Sequence, residues 1–130
     1  AVIPFMKDKK DGLIINVSSW SGNHVSLLSG VSYTSSKHAL NAMTETINMK
    51  YCNLGIRATA LCPGEVSTAI LDKRPKKLSI EQKSKMLQPD DLGQTIAFLC
   101  QMPRHVCINE LTISPTWHRR YIADLGIEEL

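Results

Sequence analysis

The sequence predicts an α/β fold with parallel strands, on three observations. Leu13-Ile-Ile-Asn-Val-Ser18 is a short, almost unbroken aliphatic run, the pattern of a strand covered on both faces. A long helical pattern follows, from Ser32 to about Asn53. Ile56-Arg-Ala-Thr-Ala-Leu-Cys62 then reads as a second strand, closed by Pro63-Gly64. Such a unit joins its strands by a right-handed crossover, so both strand ends point the same way, and ligands bind at that end of the sheet.

The other elements fit around this unit. Ala1 to Lys10 reads as the last turns of a helix, with lysines near its end and Gly12 placed to stop it. A polar, glycine-containing loop runs from the first strand to about Val31. In the long helix Leu40, Met43, Ile47 and Tyr51 recur at steps of three and four, and Gly55 suits its end. Residues 65–88 are mixed and charged, with a short helix around Ile80 to Met86, and read as a mobile flap rather than core. Pro89-Asp90-Asp91 opens a helix through Leu92, Ile96 and Leu99 to about Met102. A last strand near Leu111 to Ile113 and a tail from Ser114 complete the chain, with no internal repeat or linker.

Composition narrows the function classes. At 130 residues the chain fits one domain and can bury roughly two-thirds of its unfolded surface. An apolar share of 43% with 21% charged residues is ordinary for a globular protein. The net charge of +3 is too mild to point to nucleic acid. The basic cluster Lys73, Arg74, Lys76 and Lys77 is broken by Pro75, lacks aromatics and reads as a solvated loop. Cys52, Cys62, Cys100 and Cys107 form no CxxC pair, and no stretch has the length of a signal or membrane span, so a cytoplasmic setting without membrane contact is expected. Asn16-Val-Ser18 matches a glycosylation sequon but lies inside the aliphatic run, so it reads as coincidence. His24, His38, His105 and His118 lack metal-ligand spacing, and no metal is expected.

Tyr33 and Lys37 lie four positions apart, on one face near the start of the long helix. A phenol with a pKa of about 10 exchanges protons poorly at neutral pH unless its anion is stabilised. A nearby ammonium and the positive end of a helix do that. Alone, YxxxK occurs often by chance as an exposed helix pair. Here it stands in an ordered series: Ser18-Ser19 at the end of the first strand, a loop containing Gly22, Tyr33-Thr-Ser-Ser-Lys37, then Pro63-Gly64-Glu-Val-Ser-Thr68 after the second strand.

Together, Ile15-Asn-Val-Ser-Ser19, Tyr33-x-x-x-Lys37 and Pro63-Gly64-x-Val66-x-Thr68 resemble the corresponding motifs of the short-chain dehydrogenase/reductase family. The likeness extends from Ala1 to about Thr116. It implies the C-terminal part of a Rossmann-like doubly wound parallel sheet, three strands with flanking helices, residues 1–130 forming a single partial domain without the N-terminal half. It also implies that Ser19 polarises the substrate oxygen and that Tyr33 gives or takes the proton. Lys37 would hold the nicotinamide ribose and lower the Tyr33 pKa, and Pro63, Gly64, Val66 and Thr68 would frame the carboxamide. The cofactor implied is NAD or NADP, with NADP slightly favoured, the substrate a small alcohol or carbonyl compound, and the assembly a dimer or tetramer. Ser19 lies fourteen positions before Tyr33, one more than the commonest family spacing, which reads as a one-residue loop insertion.

No glycine-rich phosphate-binding turn and no Asn-Asn-Ala-Gly stretch occurs in these residues, and the family's catalytic Asn has no counterpart. The first strand is therefore expected to show an unpaired aliphatic edge, and the isolated chain to bind cofactor weakly. Each residue keeps a plainer reading: Ser18 and Ser19 as caps of the strand end, Thr68 as a helix N-cap, Pro63-Gly64 as only a turn. Two other functions stay open. One is a non-catalytic fragment that pairs with a full-length subunit through the long helix. The other is an unrelated α/β module or hydrolase, though no GxSxG elbow is present. The tail Ile108 to Thr116 is similar to members acting on 3-hydroxy acids and serine-like compounds, and Ser67 to about Leu87 reads as the lid that sets specificity.

Overall fold

Parallel pairing of the two aliphatic runs sets the frame. The computed structural model describes residues 1–25, 27–73 and 77–126. In it β1 (Gly12–Val17) pairs in parallel with β2 (Ile56–Pro63), in a register from Gly12 opposite Ile56 to Val17 opposite Leu61. β3 (Glu110–Ile113) pairs in parallel with the other side of β2, giving the order β1-β2-β3. The two returns between parallel strands run through α2 (Val31–Tyr51) and α4 (Pro89–Gln101). The remaining helices are α1 (Ile3–Lys9), α3 (Ile80–Ser84) and α5 (Arg119–Asp124). Among the described residues no helix is long and apolar enough to cross a membrane.

The core centres on β2, where Ile56, Ala58, Ala60, Leu61 and Cys62 are at most 2% exposed, with Leu71, Met86, Leu99 and Ile122 around it. β1 differs from the expectation of a strand covered on both faces, because none of its residues is fully buried. The reason is its place in the sheet: among the described residues it is an edge strand that pairs only with β2. The expected aliphatic edge is therefore present.

A second difference concerns α2. Its sheet-facing stripe is polar: Thr34 and Thr44 are buried, Lys37 bonds the β1 backbone, Asn41 reaches Cys62, and Asn48 bonds Ala58. The apolar series Leu40, Met43, Ile47 lies beside this stripe, with Met43 half-exposed. Polar side chains are needed because the strands offer polar partners: Asn16 donates to Thr44 Oγ1 (2.9 Å), and Ala58, fully buried, has backbone groups to satisfy. The Asn48 amide accepts from Ala58 N–H (2.6 Å) and donates to Ala58 C=O (2.8 Å). Ala58 lies two residues before Ala60, the first β2 residue paired with β3, so the amide stands in for strand backbone where β3 has not yet begun.

The ends of elements also depart in detail. Lys10, in the left-handed region at φ 49°, caps α1, and Gly12 instead begins β1. A Cβ at Gly12 would lie 2.5 Å from Met6 Sδ, so glycine there lets α1 pack against the strand. Gly55, at φ 71°, ends the turn after α2 as expected. The described parts of the expected flap, 65–73 and 77–88, are pinned rather than free of the core: Val66 bridges Leu87 in parallel, and Leu71 and Met86 are buried. Arg74, Pro75 and Lys76 of the basic cluster lie outside the described residues. The tail after Ser114 contains α5, which no periodicity announced, because its short length is supported by tertiary contacts rather than by propensity.

Replacing Asn48 with Ala leaves the Ala58 N–H without its partner and its C=O with only the weak Cys107 thiol donor, in a fully buried residue. We expect a loss of about 1–3 kcal/mol in urea unfolding, with no change in slope.

Candidate active site

The hydrogen-bond ladder continues past the strand ends and brings three loops to one edge of the sheet. Ser18 N–H donates to Leu61 C=O (2.7 Å), and Gly64 N–H donates to Ile113 C=O (2.7 Å). Ser18 is buried, and its hydroxyl donates to Lys37 C=O at 3.3 Å, tying β1 to α2. Ser19 is extended, and its Oγ accepts from Ser21 N–H (3.1 Å), capping the 3₁₀ turn Trp20–Gly22. Ser19 thus caps the turn that follows rather than the strand end, and this uses only a lone pair. The hydroxyl hydrogen remains for another acceptor.

Tyr33 is the third residue of α2 and is 45% exposed. One turn on, Lys37 Nζ donates to Val17 C=O (3.0 Å) and lies 5.6 Å from the centre of the Tyr33 ring. Lys37 Nζ thus sits at Val17, the last residue of β1, which lies two positions before Ser19. Lys37 spends one of its three N–H donors there.

Of the four remaining expected residues, Pro63 ends β2 and the other three follow it along one loop. Pro63 is buried as its last strand residue, opposite Ile113. A Cβ on Gly64 would stand 3.2 Å from Ser114 Cβ and 3.3 Å from Pro115 Cδ, so the loop after β3 runs close against it. Val66 is half-buried at its bridge to Leu87. Thr68 is exposed, and its carbonyl accepts from Leu71 N–H (3.0 Å) at the start of the 3₁₀ turn Ala69–Lys73.

Several residues at this edge carried no signal in the sequence. Asn41 Nδ2 donates to Asn23 Oδ1 (2.7 Å), and Asn23 Nδ2 donates to Glu110 Oε1 (2.6 Å), joining α2, the post-β1 loop and β3. Cys62 lies under Asn41, and burial pushes its thiol up, which leaves it a poor nucleophile at neutral pH. Trp20 stacks on His24 at 4.3 Å and meets His118 at 4.6 Å between ring centres. Arg119 pairs with Glu65 in the loop after β2. Only the step of four from Lys37 to Asn41 could have drawn attention to any of these.

His118 is 7% exposed, and its Nδ1 has no hydrogen-bond partner among the described residues. Burial holds its pKa below the ordinary value; Glu65 opposes this, while Arg120, His24 and Arg119 add to it.

The short chain dehydrogenase family profile matches residues 1–79. An uncharacterised oxidoreductase of Staphylococcus aureus (strain USA300) is 30% identical over 115 residues, 88% of this chain and 47% of that protein. A crystal structure of a β-ketoacyl-[ACP] reductase from Bacteroides thetaiotaomicron superposes with a TM-score of 0.71 at 33% identity, covering 94% of this chain and 48% of that one. The closed form of a serine dehydrogenase complexed with NADP+ shares the fold, with a TM-score of 0.73 at 23% identity over 88% of this chain and 48% of that one. The chain thus spans about half the length of the relatives it matches.

Burial disfavours the charged His118 imidazolium, so the folded chain takes up this proton less readily than the unfolded chain. Stability should therefore be full above the ordinary histidine pKa of about 6.5 and fall as pH drops below it. Urea unfolding at pH 5 and pH 7.5 checks this, and a His118→Phe variant should show a smaller difference between the two.

Proposed function

The chain belongs to the short-chain dehydrogenase family, and on that footing we propose that it carries the acid-base residues of an NAD(P)(H)-dependent oxidoreductase interconverting an alcohol and a carbonyl. In this reading residues 1–130 are the C-terminal half of the catalytic domain, in keeping with a match to about half of each relative. One observation carries the proposal: Lys37 Nζ, bonded to Val17 C=O, holds the Tyr33-Lys37 turn at the end of the strand that leads into Ser19.

The donors fit the task. Ser19 keeps an O–H to give, Lys37 has two N–H groups beyond the one on Val17, and the Tyr33 phenol is half-exposed. A nicotinamide dinucleotide, NAD or NADP with NADP slightly favoured, supplies or accepts the hydride when bound. Ser19 and Tyr33 donate hydrogen bonds to the carbonyl oxygen, and Tyr33 passes it the proton. In the oxidative direction Tyr33 takes the proton back. Lys37 would hold the ribose hydroxyls of the dinucleotide, and Pro63, Gly64, Val66 and Thr68 would border its carboxamide. Lys37 and Ser18 fix α2 against β1, so the tyrosine is positioned before substrate arrives.

The same reading places the enzyme in the cytoplasm, in keeping with four free cysteines, and as a dimer or tetramer, in keeping with Val31, Met43 and Met49 exposed on α2. The NADP+ complex of a fold relative supports the cofactor class.

The protein carrying this chain should oxidise NADPH or NADH with small carbonyl substrates. Tyr33→Phe should lower kcat by about 10²–10⁴-fold and Ser19→Ala by about 10²–10³-fold, each with an unchanged circular dichroism spectrum. Full activity in Tyr33→Phe would remove the proposal.

A further inference from the structure

Two loops at the carboxyl edge of the sheet carry residues of the proposed site, and α5 touches both, at the residue next in the chain. Arg119 Nε donates to Glu65 Oε2 (2.6 Å) and Arg119 Nη2 donates to Glu65 Oε1, a forked pair in which both side chains are largely buried. Glu65 follows Gly64. One residue before Arg119, the His118 ring lies 4.6 Å from the ring of Trp20, which follows Ser19. Tyr121 completes the cluster, stacked on His118 at 4.4 Å and edge-on to Trp20 at 6.0 Å.

Helix α5 spans six residues and has no side-chain N-cap, so these contacts and buried Ile122 must hold it in place. Burial of Ile122 alone would dock such a helix. It would not require a two-point carboxylate fork to one loop and ring stacking on the other. A guanidinium and a carboxylate locked in a plane resist sliding, and stacked rings resist separation, so the helix has a fixed attachment to each loop.

We propose that α5 is a brace that fixes the Ser19 loop relative to the Gly64 loop, with His118, Arg119 and Glu65 as positioning residues acting through Trp20. The inference rests on the reading of Ser19 as the group that polarises the substrate oxygen. It adds His118 and Arg119 from the far end of the chain and Glu65 from the loop after β2. The brace transmits: weakening the Glu65-Arg119 fork at one loop loosens the turn after Ser19 at the other.

Amide hydrogen exchange on the full chain tests this, comparing the wild type with Arg119→Ala. The amides of Ser21 and Gly22, held by Ser19 Oγ and Ser19 C=O, report on the first loop, and Ser67 reports on the second. Arg119→Ala should speed exchange about tenfold or more at all three, leaving Ile14–Val17 and Ala58–Leu61 protected. The double exchange Glu65→Arg with Arg119→Glu should restore part of the protection. Tyr121→Leu, which leaves the fork intact, should loosen Ser21 and Gly22 first. Faster exchange at Ser67 alone would overturn the brace, as would a uniform rise through β1 and β2. The catalytic reading stands or falls apart from the brace, because Tyr33→Phe should lower turnover by about 10²–10⁴-fold while leaving these exchange rates unchanged.

Discussion

The rest of the structure depends on one requirement: β2 is buried, so every backbone polar group along it needs a partner inside the protein. A buried peptide group left unpaired costs about 1–3 kcal/mol, and β2 has β1 on one side and only a four-residue β3 on the other. The shortfall before β3 begins is met by the side chain of Asn48. That solution requires α2 to lie close over the sheet with a polar stripe turned inward. Lys37 and Asn41 belong to the same stripe, so the packing that satisfies β2 also delivers Lys37 to the end of β1.

The junction of β1 and α2 is locked in both directions. The Ser18 hydroxyl donates to the backbone of Lys37, and the Lys37 ammonium donates to the backbone of Val17. Two reciprocal bonds between a strand end and a helix turn restrict both sliding and rotation of α2. β1 needs that lock, since among the described residues the sheet supports it on one side only. The position of Tyr33 therefore derives from backbone hydrogen bonding more than from apolar packing, and the residue remains half-exposed.

Much of this was legible in the sequence, for identifiable reasons. The strand, helix, strand unit could be read because aliphatic runs and a glycine-terminated helix are local patterns. The order Ser19, Tyr33, Lys37, Pro63-Gly64 could be read because each residue follows a strand end or lies on the first turns of a helix. The inward face of α2 could not, since an apolar stripe and a polar stripe share the same period and only the sheet decides between them. The pinning of residues 65–73 and 77–88 escaped notice because Leu71 and Met86 are single apolar residues in a charged stretch. Helix α5 and its contacts with Trp20 and Glu65 join distant parts of the chain, which no local pattern encodes.

These differences fall on one side of a physical division. Residues that do chemistry must be held at strand ends and helix starts, where backbone geometry is fixed by local sequence, so their spacing carries information. Residues that hold those elements relative to one another act across the sheet, where only the folded chain supplies the distance. Under the proposed function Ser19 would illustrate both at once. Its backbone position follows from β1, its lone pair is used by the turn it caps, and its hydroxyl hydrogen is left over for a ligand. The turn itself carries Trp20, whose ring meets His118 and Tyr121, so the proposed brace would tie the placement of Ser19 to residues about a hundred positions away in the chain.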